Sequence, residues 1–278
     1  MTRLQTADGR LWNPLLIGWP LPSRRRLKAA IRYVRGLIDE LIADRRASGV
    51  DRGDLLSILL LAEDDEGDGK GMTDLQARDE SVNLLLGGNE TTATAITWAA
   101  YLLARHPEVQ EEVRTEVHGA FDEVEESAAV LGKLPLTEMV FKEAMRLYPS
   151  AYALSREAAD DLEIGGERIP QGAQLILIPY VTHRDSRWFD EPNDFCPRRF
   201  ERESDFMRCS YIPFGAGPRA CIGKGFAMME GMLVLATLVR NHRLELLSPE
   251  EPEIEAQVSL HPSGGLKIRL THLGSPTP

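Results

Sequence analysis

Cysteine is scarce: only Cys196, Cys209 and Cys221 occur in the 278 residues. The number is odd and no Cys-x-x-Cys pair is present, which argues against a disulfide framework and against a finger-type zinc site. A reducing, intracellular setting is the expectation that follows. Aromatic residues are also few, at 6%, yet hydrophobic residues make up 43% with Leu, Ile and Val plentiful, so a chain disordered throughout is excluded. Positive charge is in deficit. Thirty-two Lys+Arg face 43 Asp+Glu for a net charge of −11, which argues against nucleic-acid binding by bulk phosphate neutralisation. Long apolar runs are missing as well. The late stretch AMMEGMLVLATLV (227–239) contains Glu230 and falls short of the roughly 18 apolar residues a membrane-spanning helix needs. The opening segment has no secretory cleavage pattern, and no internal repeat is visible.

What is present reads as mainly helical with a small, separate β portion. After a loop or linker over 1–22, residues 23–149 have helical grammar. Leu27, Ile31, Val34, Ile38, Leu41 and Ile42 form one apolar stripe at helical spacing, and DLLSILLLAE (54–63) predicts a short, more buried helix. EDDEGDGKG (63–71) reads as a solvated acidic loop. Thr73 with Gln76 three residues on has the form of a capping box, and the pattern then runs to His106 without a proline. Pro107 opens another helix, and LTEMVFKEAMRLYP (136–149) predicts one that stops at Pro149. The grammar changes over 150–220, where short β-type runs flank Gly165-Gly166 and Pro170-Gln171-Gly172 turns before a loop-rich stretch. A helix from about Ile222 to Arg240 and a weakly alternating tail ending in GSPTP complete the chain over 221–278.

The densest chemical signal is FGAGPRACIG (214–223), in which Phe214, Gly217, Arg219, Cys221 and Gly223 fit F-x-x-G-x-R-x-C-x-G. A glycine-proline turn around a buried cysteine is the bland alternative. Ligation is favoured on physical grounds. Gly215 and Gly217 let the backbone approach a flat ring, and Cys221 stands where a loop enters a helix, so amide N–H groups can stabilise a thiolate. Arg219 supplies a cation for a propionate, and Phe214 can pack beside the sulfur.

Within the long helix stands GGNETT (87–92). Each internal glycine costs about 1 kcal/mol relative to alanine, so Gly87-Gly88 needs a reason: close helix packing, or room for a small molecule beside the acid-alcohol pair Glu90-Thr91. EAMR (143–146) puts Glu143 and Arg146 on one helical face, a spacing that more often marks an ordinary surface pair.

Together these motifs, in this order, resemble cytochrome P450, the heme-thiolate monooxygenase family. The resemblance extends to CPRRF (196–200), similar to the family's P-[DE]-R-F with Arg198 in place of the acid, and to AYALSREA (151–158) and THRD (182–185). It runs from about Ser23 to about Leu270 and implies the C-terminal part of a cytochrome P450 fold, the family's first helices being expected to lie outside this chain. It implies heme b held by Cys221, Arg219 and Arg156 on the propionates, and the cofactor-facing loop residues Phe214, Gly217 and Gly223. Gly87 and Gly88 would make room for dioxygen, Thr91 would hydrogen-bond the oxygen being activated, and Glu90 would help supply protons. Glu143, Arg146 and Arg199 would form a structural cluster, while Ala151, Tyr152, Ala153 and Leu154 would face substrate. His183, Cys196 and Cys209 are assigned no chemistry. The activity implied is insertion of one oxygen atom from O2 into a lipophilic small molecule, with a separate ferredoxin or flavoprotein reductase docking near the Cys221 loop, because no nicotinamide or flavin motif is present. Nucleic acid and a membrane span are not expected, and a cytoplasmic location is. Two rivals remain: a heme-thiolate enzyme of other chemistry (peroxygenase, dehydratase or isomerase), and a remnant that binds heme without catalysis.

Overall fold

The structure, a computed structural model, describes residues 22–62, 69, 71–123 and 128–274. The expected loop over 1–21, most of the acidic loop at 63–71 and the last residues of the tail lie outside these. Contacts divide the chain into two compact units, Met1–Asn89 and Glu90–Pro278, and the division falls inside a long helix.

In the first unit, α1 (Pro22–Ser48) and α2 (Leu55–Leu61) are followed by the opening turns of α3 (Asp74–Arg105). Ile38, Ile42, Leu60 and Ala77 form its core, with Val34, Leu56, Met72 and Val82 packed around them. Only part of the α1 stripe is covered by these partners. Ile31 and Leu41 remain 43% and 48% exposed, and α2 shows Leu55, Ile58 and Leu61 to solvent, so it is amphipathic where the sequence suggested a buried helix. Asp54 caps α2 by accepting from the Ser57 amide at 2.9 Å. The buried Arg45 grips the same carboxylate through two bonds of 2.6 and 2.8 Å, which holds the Asp54 carboxyl well below the usual range. The capping box forms as expected: the Thr73 amide donates to Gln76 Oε1 at 2.9 Å, and the Gln76 amide donates to Thr73 Oγ1 at 3.2 Å.

The second unit packs the rest of α3 with α4 (Pro107–Glu123), α5 (Pro135–Leu147) and α7 (Lys224–Asn241) around a core that includes Trp98, Leu103, Val113, Phe141, Leu235 and Val239. Between α5 and α7 lie one short turn of α-helix, α6 (Pro179–Thr182), and 3-10 helical turns over Pro197–Asp205 and Gly217–Arg219. Proline opens α4 and α5 at a position where a missing N–H costs nothing. The fifth helix stops at Leu147, two residues before Pro149, because Tyr148 already carries the extended φ of −131° that a residue preceding proline prefers. Trp98 stacks on Tyr148 with ring centroids 3.9 Å apart, tying α3 to the end of α5. Two-stranded antiparallel ladders make up the β portion, joining β1 (Leu154–Glu157) to β4 (Gln174–Leu177), β2 (Leu162–Ile164) to β3 (Glu167–Ile169), β5 (His242–Leu246) to β8 (Ile268–His272), and β6 (Ile254–Ala256) to β7 (Leu260–Pro262). The β2–β3 turn is Gly165-Gly166, with φ of 61° and 87°, a tight hairpin turn that glycine alone adopts without strain.

Candidate functional site

Cys221 sits on a tightly wound loop at the N-terminus of α7. Gly215 and Gly217 have φ of 69° and 73°, so the chain turns twice within three residues at positions where a side chain would be strained. The loop closes on itself: the Cys221 amide donates to the Phe214 carbonyl at 2.9 Å, and the Ala220 amide to Gly217 at 3.0 Å. Gly223 caps α7, and a Cβ there would stand 3.8 Å from Cys221 Sγ, so the thiol lies over the entrance to the helix. The seventh helix therefore begins at Lys224, two residues later than the sequence pattern suggested, because Ile222 and Gly223 belong to the loop. All three cysteines are free and exposed, but only Cys221 has this setting. The backbone of Cys196 donates to Glu143, and Cys209 occupies a turn at φ 65°.

A thiolate-bound heme would need a cysteine sulfur, an apolar surface and cations at its acidic edge, and the residues present fit those needs. Ile222 and Phe226, one and five residues after the cysteine, are 91% and 64% exposed, an unusual display of apolar surface. Arg219 closes the short turn Gly217–Arg219 and is exposed, with no carboxylate in ion-pair range among the described residues. Arg156 lies on β1, where its guanidinium donates to the Ser155 carbonyl at 2.8 Å. That strand meets the cysteine loop directly, since a Cβ on Gly215 would stand 3.8 Å from Leu154 Cδ1. Residues two apart on a strand share a face, so Arg156 is on the side that Leu154 presents to the loop. A hollow of about 600 Å³ opens beside Cys221, with Lys142, Tyr211, Phe214 and Lys224 in its lining.

Glu90 and Thr91 are partly buried on α3, each held from another part of the second unit. Ser259 Oγ donates to Glu90 Oε1 at 2.6 Å, and Ser150 Oγ donates to the Thr91 carbonyl at 2.7 Å. Gly87 and Gly88 are exposed on the same helix, and among the described residues nothing outside the local helix lies within 4 Å of a Cβ built at either. Of the residues expected to face substrate, Tyr152 donates its hydroxyl to the Gln257 carbonyl at 3.0 Å, Leu154 leans on the cysteine loop, and Ala151 and Ala153 are half-buried and exposed. The segment around β1 thus runs from the Glu90 end of the unit to the cysteine loop.

Beneath the loop, Glu143 and Arg146 are fully buried, which removes the surface-pair alternative. Arg146 grips Glu143 with bonds of 2.7 and 2.8 Å, and Arg199 Nε donates to the same carboxylate at 3.1 Å. The remaining guanidinium donors bind carbonyls of His183, Pro192 and Asp194 from Arg146, and of Asp190 and Glu191 from Arg199. One helix thereby fixes the loop that leads to Phe214. Arg198, which replaces the family's acid, turns outward to Glu112 and Glu201, so that exchange leaves the cluster whole. His183 is fully buried with Nε2 accepting from the Ile212 amide at 2.9 Å, and burial pushes its pKa down to about 4, so it is neutral and structural. Sequence reasoning missed Ser150, Thr94 and Ser259. Their partners lie 59 to 169 residues away, and serine and threonine carry no pattern by which such a pairing could be read.

The family model for cytochrome P450 matches residues 4–268. Cyclooctatin synthase of Streptomyces melanosporofaciens is 39% identical over 249 residues, covering 88% of this chain and 54% of that protein. Human cytochrome P450 4V2 is 36% identical over 271 residues, covering 91% of this chain and 51% of its own length. Cyclooctat-9-en-7-ol 5-monooxygenase of the same Streptomyces is 37% identical over 227 residues, with 81% and 49% covered. The chain spans about half the length of the curated relatives it matches. On the extent of the family match and the level of these identities, the chain belongs to the cytochrome P450 family.

Proposed function

We propose that this chain carries the heme-thiolate and proton-handling half of a monooxygenase acting on a lipophilic small molecule, with electrons supplied by a separate protein. The observation that carries the reading is the Cys221 loop: a thiol over a helix entrance, preceded by two left-handed glycines and followed by the exposed apolar side chains Ile222 and Phe226. Heme bound through a thiolate supplies activation of O2 at iron, with the sulfur's electron density favouring O–O cleavage. The chain's residues do the rest. Cys221 gives the thiolate, the amides at the start of α7 stabilise it, and Arg219 and Arg156 offer charge-assisted hydrogen bonds to the propionates. Thr91 offers a hydroxyl at the oxygen-binding side, and Glu90 accepts and releases protons there. Two relatives, one named cyclooctatin synthase and one cyclooctat-9-en-7-ol 5-monooxygenase, support an oxygenase. The docking face proposed for the electron donor is the hollow beside Cys221, where Lys224 presents a cation while Lys142 is paired with Glu138 and Glu203.

The test is electron accounting in protein loaded with hemin and supplied with an electron donor. Thr91→Ala should consume reductant and O2 while releasing more peroxide and less product, as loss of proton assistance worth on the order of 10²–10⁴ in rate would give. Unchanged partition between product and peroxide would contradict the role of this helix segment.

A further inference from the structure

The turn between β6 and β7 reaches α3 with a single hydroxyl, and that hydroxyl belongs to a residue without any exposed surface. Ser259 is 0% exposed and donates to Glu90 Oε1 at 2.6 Å, a contact that spans 169 residues of sequence. A hydroxyl has one proton to give. With it committed to Glu90, the Thr94 hydroxyl, 3.4 Å from Ser259 Oγ and one helical turn beyond Glu90, is the donor to Ser259. The chain of donation therefore runs Thr94 to Ser259 to the Glu90 carboxylate.

Ser259 is itself fixed from both sides. Its carbonyl accepts from the Gln257 amide at 3.2 Å, while the next residue's amide donates to Ser150 at 3.1 Å and its carbonyl accepts from Trp98 Nε1 at 2.7 Å. Trp98 is fully buried, and Ser150 holds the Thr91 carbonyl. One tight hairpin turn thus sets the direction of the Glu90 side chain, and Ser150, to which that hairpin is bonded, holds the backbone of Thr91. A glutamate without such a partner samples many rotamers, so the pinned geometry is a property of the hairpin as much as of the helix.

We propose that Ser259, supported by Thr94, is a positioning residue that aims the Glu90 carboxylate for proton delivery, so that the β6–β7 turn and not α3 alone determines how tightly electrons are coupled to product. This rests on the reading of Glu90 as a proton carrier. The role assigned to Ser259 is exercised through Glu90, the side chain its hydroxyl binds.

Two readouts test it. The first needs no heme: the carboxylate band of Glu90, isolated as the infrared difference between the chain and its Glu90→Gln variant, is compared in Ser259→Ala, Ser259→Thr and Thr94→Val. The band should shift in Ser259→Ala, return toward the original position in Ser259→Thr, and shift less in Thr94→Val. An unshifted band in Ser259→Ala overturns the proposal. The second is the peroxide share of reductant consumed by hemin-loaded protein with its electron donor. It should rise several-fold in Ser259→Ala as in Glu90→Gln, recover in Ser259→Thr, and rise no further in the double variant. If Glu90→Gln raises peroxide while Ser259→Ala does not, the positioning role is wrong and the reading of Glu90 stands. If Glu90→Gln itself changes nothing, the reading of Glu90 fails and this inference fails with it.

Discussion

Glu143 and Arg146, three residues apart on α5 and both without exposed surface, are joined by two parallel hydrogen bonds of 2.7 and 2.8 Å. Such a pair contributes little net stability while intact, because desolvating both charges offsets their attraction. Breaking it is another matter. Glu143→Ala would leave two guanidinium groups facing a vacated site and the Cys196 amide without its acceptor. The expected cost is about 3–5 kcal/mol, read as a large fall in the urea midpoint or as insoluble protein. Soluble protein with an unchanged midpoint would contradict the burial of this cluster.

The contact between α5 and α7 depends on one glycine. A Cβ at Gly231 would stand 2.2 Å from Phe141 Cζ and 2.4 Å from Cε1, and Phe141 is completely buried. Gly231→Ala should therefore destabilise by about 1–3 kcal/mol through overpacking, against its better helix propensity. Gly225→Ala, on the same helix with nothing within 4 Å, should be neutral or slightly stabilising. Equal thermal midpoints for the two variants would show that the helices do not approach in this way.

His183 makes the acid limb of stability predictable. Its folded pKa of about 4 lies below the ordinary 6.5, so above pH 6.5 the imidazole is neutral in both states and favours neither. As pH falls below 6.5 the unfolded chain takes up the proton first, and stability drops by up to about 1.4 kcal/mol per pH unit until pH 4. The Asp185 carboxyl, lowered to about 2 by Arg187, protonates only below that window. His183→Gln should flatten the slope between pH 6.5 and 4 relative to the original chain. Parallel pH curves for the two proteins would contradict a neutral, buried His183.

Much of the fold was legible where local chemistry decides it. The capping box at Thr73 and Gln76, the prolines opening α4 and α5, and the Gly165-Gly166 turn all formed where the sequence placed them. Legibility failed where an element's partners decide. Ile31 and Leu41 belong to the apolar stripe on α1, yet both are exposed, because the first unit's core takes up Ile38 and Ile42 and leaves the edges of the stripe uncovered. At the site, the Cys221 loop could be read because its glycines, arginine and cysteine are adjacent in sequence. Ser259 could not, since only the folded chain brings it to Glu90. The buried setting of Glu143 and Arg146 was likewise invisible in a spacing that surface pairs share.

The central claim is that Cys221 is the thiolate that holds heme, and the most direct measurement is the carbon monoxide difference spectrum of the chain titrated with hemin and then reduced. The account predicts the red-shifted Soret band of a thiolate-ligated ferrous heme, retained in Cys196→Ala and Cys209→Ala and lost in Cys221→Ala. A band that survives in Cys221→Ala, or that disappears in either of the other two variants alone, would contradict it.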